Sequence, residues 1–70
     1  MSSMCYPDVL QAVVDDYCSK AGLDRILVSG GAETALRMIM ENEPASTDPS
    51  LSSLRRAAIA RLSYCTKVMA

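Results

Sequence analysis

Apolar residues recur along this chain with the period of an α-helix, in three separate segments. The first segment begins at Pro7, and Gly22 follows its last apolar residue. Proline favours the first position of a helix, and glycine favours the left-handed conformation that ends one. The apolar positions of this segment share one half of a helical wheel: Val9, Leu10, Val13, Val14, Tyr17, Cys18 and Ala21. The pattern predicts a helix over about residues 7–21, with Leu23 folding back on Cys18 in a Schellman turn.

A second helix is predicted over about residues 31–42. It carries an apolar stripe made of Ala32, Ala35, Leu36, Ile39 and Met40. Pro44 ends it, because the residue before a proline avoids helical angles. The apolar triplet Ile26–Val28 precedes the helix and is compatible with a strand, a turn or a helical turn. A lone strand would have no partner in this chain, so we expect a helical turn or a packed loop there.

The glycines Gly30 and Gly31 raise the question of a phosphate-binding loop at the start of this second helix. The sequence SGGAET matches neither the GxGxxG nor the GxxxxGK[ST] motif, and no strand clearly precedes it. A plain tight connection is the favoured interpretation, and no cofactor is expected.

The third helix is predicted over about residues 49–68. Asp48 followed by Pro49 is a typical N-cap with proline at the first helical position. The apolar positions have heptad-like spacing and comprise Leu51, Leu54, Ala58, Leu62, Cys65 and Met69. Short connections between helices favour antiparallel neighbours. We therefore expect an all-α fold, a three-helix bundle or a helical hairpin with one short helix, in a single domain over residues 1–70 with a flexible segment at 1–5.

A chain of 70 residues buries only about 60% of its unfolded surface, so an additional source of stability is expected. The chain has three cysteines, which leaves one over in any monomeric pairing, so a disulfide is not expected. Cys18 and Cys65 fall on apolar stripes and are predicted to be core residues, whereas Cys5 is predicted to be exposed and oxidisable. With no histidine and widely spaced cysteines, a metal site is not expected either. Self-association, or binding to a larger protein, is the remaining source of extra stability, and we expect dimerisation to complete the bundle.

Composition bears on function and on compartment. The absence of histidine removes the commonest general base, and the absence of Trp and Phe removes the usual stacking platforms of single-strand nucleic-acid binders. We therefore predict a protein that is not an enzyme.

The N-terminal sequence lacks the pattern of a signal peptide, and no apolar run approaches the length of a membrane span. A cytoplasmic location without a membrane partner is predicted.

Charge divides the chain in two although the net charge is only −1. Residues 1–48 hold all eight acidic and three basic residues, a balance of −5, whereas residues 49–70 hold four basic residues and no acid, a balance of +4. A basic third helix is compatible with a small DNA-binding regulator, which contacts phosphates. Because the whole domain is slightly acidic, nucleic acid is the less favoured partner.

Arg61 is the basic residue with the least expected position. The apolar sector of the third helix comprises Leu51, Leu54, Ala57, Ala58, Leu62, Cys65, Val68 and Met69, and Arg61 falls among them. Its guanidinium group must reach the rim of the core, pair with an acid of the fold or of a dimer mate, or contact another protein.

Several apolar residues lie off the main stripes, which predicts a second buried surface supplied by a partner. The predicted partner-binding residues are Met38, Arg55, Arg56, Ile59, Arg61, Tyr64 and Lys67. The expected function is that of a small adaptor or regulator, a homodimer that modulates or inhibits a larger protein. The alternative is the DNA-binding regulator that uses the third helix.

Overall fold

The computed structural model describes residues 5–69, with the side chains of residues 5–68. Three α-helices make up most of this range: α1 over Pro7–Ala21, α2 over Ala32–Glu41 and α3 over Pro49–Met69. A 3-10 turn at Val28–Gly30 stands between α1 and α2, and none of the residues in this range belongs to a β-strand. The predicted all-α class, with three helices, is confirmed.

The end of α1 shows the predicted Schellman turn. Gly22 has φ 72°, and the N–H groups of Gly22 and Leu23 both donate to the carbonyl of Cys18. The linker that follows α2 passes directly over this turn, since the Ala45 N–H donates to the Ala21 carbonyl at 2.7 Å. A Cβ atom added at Gly22 would lie 3.1 Å from the Cβ of Ala45. Glycine is therefore favoured at this position both by the backbone angle and by the space.

The segment between α1 and α2 is the packed loop that was one of the two expected alternatives. Ile26 and Val28 are buried, whereas Leu27 between them is exposed. The side-chain amide of Gln11 holds the loop against α1: its Nε2 donates to the Ile26 carbonyl at 2.9 Å, and its Oε1 accepts the Val28 N–H at 3.0 Å. A single amide thus satisfies two backbone groups that a neighbouring strand would otherwise pair.

Helix α3 packs against both α1 and α2 and carries the central seam of the core. Its buried positions are Leu51, Ala58, Leu62 and Cys65, with Leu54 half-buried beside them. Asp48 caps the helix as predicted, because its Oδ1 accepts the Ser50 N–H at 3.0 Å. The molecule measures 35 × 19 × 18 Å, so α3, at about 31 Å for its 21 residues, runs along the long axis. In the part of the chain that the structure describes, no helix is long and apolar enough to cross a bilayer.

A disulfide joins Cys5 to Cys65, with their Cα atoms 5.4 Å apart. The expectation of no disulfide was therefore wrong. Its premise, an odd number of cysteines, does not exclude one pair, because the third thiol, Cys18, is buried in the core and kept apart from both. The predicted core positions of Cys18 and Cys65 are confirmed.

Cys5 itself is buried and bonded, so the prediction that it is an exposed thiol was also wrong. The predicted flexibility of residues 1–5 does not apply to Cys5, because the bond to α3 fixes this position, and residues 1–4 lie outside the described range. Since Cys5 precedes α1 and Cys65 lies near the end of α3, the bond sets these two helices antiparallel.

Candidate partner-binding surface

Arg55 is engaged inside the fold. Its Nη2 donates to the Ile39 carbonyl at 3.1 Å and, at a longer 3.5 Å, to the Met40 carbonyl. These carbonyls belong to the last turn of α2, where a positive charge complements the helix dipole. The Nε atom of Arg55 is buried without a hydrogen-bond partner. The predicted role of Arg55 in partner binding stays a prediction, and the structure gives the residue a role in holding α2 against α3.

Arg56 and Lys67 are exposed on the outer side of α3. They are eleven positions apart, which places them on nearly the same line along the helix and about 16 Å apart. Neither forms an ion pair with another described residue.

The apolar residues predicted to share one partner surface lie in different places. Met38 is exposed on α2 and lines a shallow cavity of about 290 Å³ together with the segment 22–26. Ile59 is half-buried against the core, one turn beyond Arg55. Tyr64 is exposed on another side of α3. The structure therefore does not bring Met38, Ile59 and Tyr64 together.

The antiparallel pair α1 and α3 has two sides, and α2 with its preceding loop covers one of them. Gln11 of α1 bonds the loop, and Arg55 of α3 bonds the end of α2. Residues on the opposite arc of both helices are left uncovered. We give the name α1/α3 face to the part of this arc nearer the disulfide, which is made of Tyr6, Val9, Val13, Ala57, Arg61, Tyr64 and Val68; farther along the same arc of α1 lie the charged Asp16 and Lys20.

The α1/α3 face is mostly apolar and largely exposed. The exposed fraction is 53% for Tyr6, 37% for Val9, 48% for Tyr64 and 51% for Val68. Tyr6 and Tyr64 each adjoin a cysteine of the disulfide, so the bond holds the two aromatic residues at the same end of the molecule. Exposed apolar residues gathered on one face mark interaction sites more often than residues scattered singly do.

Sequence reasoning identified Arg61 and Tyr64 on this face and missed the other five residues, which are Tyr6, Val9, Val13, Ala57 and Val68. Val9 and Val68 were both assigned to apolar core stripes. The width of those stripes could have revealed these residues as part of a separate face. The apolar half of α1 is wider than one neighbouring helix can cover.

Arg61 is half-buried within the α1/α3 face. Its helical neighbours on this face are Ala57 and Tyr64, at the spacings of 4 and 3 that place side chains next to one another, and Val68 lies one turn beyond Tyr64. Among the described residues, Arg61 forms no hydrogen bond and no ion pair. The alternative that it pairs with an acid of its own fold is therefore wrong for the described part of the chain.

The remaining thiol does not form a reactive site. Cys18 is 2% exposed, and burial raises the pKa of its thiol. The Ile26 N–H bonded to the sulfur lowers this pKa, whereas the charge of Asp15 raises it. A high pKa keeps the thiol protonated and poorly nucleophilic. The described residues also contain no group of three or more Cys, Asp or Glu side chains placed to hold a metal ion.

Comparison of the chain with protein-family models, with curated proteins and with solved structures finds no significant match.

Proposed function

We propose that this protein is a small helical adaptor or regulator that binds a larger protein through the α1/α3 face. The observation that carries the proposal is the position of Arg61, half-buried and unpaired among the exposed apolar residues of that face. Aromatic residues and arginine are enriched in protein interfaces, and both types occur here. The proposed activity is the binding of this larger protein. By covering a surface of the larger protein, the small chain modulates or inhibits it.

Photo-crosslinking in cells of the native source tests this proposal. Benzoylphenylalanine is placed at Val9 or Val68, on the α1/α3 face, and at Arg37, an exposed residue of α2, as the matched control. We expect one discrete adduct of higher mass from each face position and none from Arg37. Equal adducts from all three positions, or no adduct from the face, would contradict the proposal.

A second copy of the chain is the competing occupant of the same face, since a homodimer was predicted from the sequence. An adduct of twice the chain mass from Val9 and Val68 would assign the face to self-association. Sedimentation velocity at micromolar concentration checks the same point without a crosslinker.

The second candidate is nucleic-acid binding, favoured by the alignment of the exposed Arg56 and Lys67 on one line of α3. Two aligned cations can contact only a few DNA phosphates, so the expected affinity is low and this candidate has less support. A gel shift with mixed duplex DNA at low salt decides it. Binding that weakens in the Arg56→Ala, Lys67→Ala double variant would favour it, and no binding would remove it.

The disulfide bears on the predicted cytoplasmic location. Disulfides persist in oxidising compartments and are rare in the reducing cytosol. The Cys5–Cys65 bond therefore argues for an oxidising setting, and the cytoplasmic location stays a prediction without support from this feature.

A further inference from the structure

The guanidinium group of Arg61 lacks a counter-charge on the α1/α3 face. Arg61 as a residue is half-buried, and a partner that covers its guanidinium group would remove the water around that group. A guanidinium group that loses its water costs free energy unless it meets an acceptor, and a carboxylate is the acceptor that matches its planar fork. A protein that covers the guanidinium group of Arg61 must therefore bring an acceptor for it.

None of the described residues of the chain supplies this acceptor. Helix α3 contains no acidic residue. On α1, Asp15 accepts hydrogen bonds from Gln11 and Arg25 on the side that the loop covers. Asp16, at the edge of the face, forms an ion pair with Lys20 at 3.2 Å. A second copy, docked through the same face, would bring apolar residues and another arginine, and the carboxylate at the edge of its face, Asp16, is already paired with Lys20.

The antiparallel arrangement of α1 and α3 can accept a further helix. Two antiparallel helices form a groove between them, and a further helix packs along such a groove in a bundle. On α3 the groove is bordered by Ala57, Arg61, Tyr64 and Val68, whose spacings of 4, 3 and 4 are those of a coiled-coil seam. Ala57 is small and allows close approach at one end. The border is about 16 Å long, which corresponds to about three turns of a bound helix.

We propose that the α1/α3 face binds an amphipathic helix of another protein, which lies along the groove as a fourth helix of the bundle and presents one carboxylate to Arg61. This inference rests on the proposed function and adds the chemistry of the partner. The charge of Arg61 selects an acidic residue within an apolar stripe of the partner, and the lack of a free acid on the face disfavours a second copy.

The test is a selection from a displayed library of amphipathic helices of about 16 residues, with apolar residues at heptad positions and the remaining positions randomised. Four purified forms of the full chain serve as targets: the unaltered protein, Arg61→Glu, Arg56→Glu and Val68→Asp. Arg56→Glu is the matched control because Arg56 is exposed on the outer side of α3, away from the face. Circular dichroism confirms that each form retains its helices before selection.

We expect the unaltered protein and Arg56→Glu to enrich peptides with Asp or Glu at one position beside the apolar stripe. Arg61→Glu should enrich Lys or Arg at that position, and a selected acidic peptide should bind Arg61→Glu at least about tenfold more weakly. Val68→Asp should enrich neither set.

Three results would overturn the inference in different ways. If the unaltered protein and Arg61→Glu select the same peptides without acidic preference, the face binds helices but does not read a carboxylate, and the proposed function stands. If no peptide is enriched over Val68→Asp, the groove does not bind helices, and the proposed function loses its surface as well. Self-association that Val68→Asp abolishes in sedimentation velocity would give the face to a second copy.

Discussion

Two arginines of α3 show how position decides the role of the same side chain. Arg55 reaches the end of α2 and donates to the Ile39 carbonyl, so its charge is used inside the fold. Arg61 lies on the other side of the helix among apolar residues and has no described partner. The first is expected to contribute to stability and the second to binding.

For Arg55, replacement by alanine should lower the free energy of unfolding by about 1–2 kcal/mol. The variant loses a charged hydrogen bond to the Ile39 carbonyl and the complement to the α2 dipole. Urea unfolding monitored by circular dichroism measures the change. Arg56→Ala is the control, since Arg56 is exposed, and its effect should stay within about 0.5 kcal/mol. Equal effects of the two variants would contradict the role given to Arg55.

Cys18 predicts a pH dependence of stability. Burial raises the pKa of its thiol in the folded state, so the unfolded chain releases this proton more readily. The contribution is present below the pKa of the unfolded thiol and is lost as pH rises above about 8.5. We expect the stability difference between the unaltered protein and Cys18→Ala to shrink between about pH 8 and pH 10. A difference that stays constant over this range would contradict the assignment.

At the scale of the elements, the local signals at helix ends were sufficient to predict the helices. Pro7 and Gly22 bound α1, and Asp48 with Pro49 begins α3, because capping depends on residues that are adjacent in sequence. The bounds observed for all three helices lie within one residue of those predicted. Periodicity also identified most of the core, since a buried stripe follows the helical repeat.

The arrangement of the elements could not be predicted in the same way. The side of the α1 and α3 pair that α2 covers depends on contacts between distant residues, such as Gln11 with Val28. Without that knowledge, Val9 and Val68 cannot be distinguished from core positions on a helical wheel. The disulfide is a contact across 60 residues, which cysteine counting does not reveal. The candidate site was therefore only partly predictable, through Arg61 and Tyr64.

Gly22 gives a prediction at this scale. Gly22→Ala should lower the free energy of unfolding by about 1–2 kcal/mol, because an alanine is strained at φ 72° and its Cβ would crowd Ala45. Thermal unfolding measures the loss. Gly30→Ala is the matched control: its φ is not positive, and an added Cβ meets no atom within 4 Å. That variant should be neutral or slightly stabilised, by up to about 1 kcal/mol. Equal losses of stability in the two variants would contradict the role given to the positive φ of Gly22.

At the scale of the whole molecule, the disulfide supplies the additional stability that a chain of 70 residues needs. Sequence reasoning expected dimerisation to meet this need. The bond reduces the need for a subunit partner for folding, which leaves the α1/α3 face available for a different protein. The disulfide thus serves the stability of the fold, and the α1/α3 face is proposed to serve binding.

Reduction of the bond should lower the free energy of unfolding by about 4 kcal/mol, from the loop entropy of a cross-link over 60 residues. Urea unfolding with and without a phosphine reductant measures this loss. Thiol titration in denaturant should find one thiol before reduction and three after it, since Cys18 is the one unbonded cysteine. The Cys5→Ser, Cys65→Ser double variant should match the reduced protein and no longer respond to reductant. Three thiols in the untreated protein would contradict the bond.

The position of the disulfide near both ends of the described chain makes the covalent backbone a closed ring. The linker at residues 42–48 is exposed along nearly its whole length and lies on the far side of that ring from the bond. A protease that nicks the linker once would open the ring without releasing a fragment. Because α1 and α3 would remain covalently joined, the α1/α3 face would outlast the cut, and only a reducing agent would separate the two pieces.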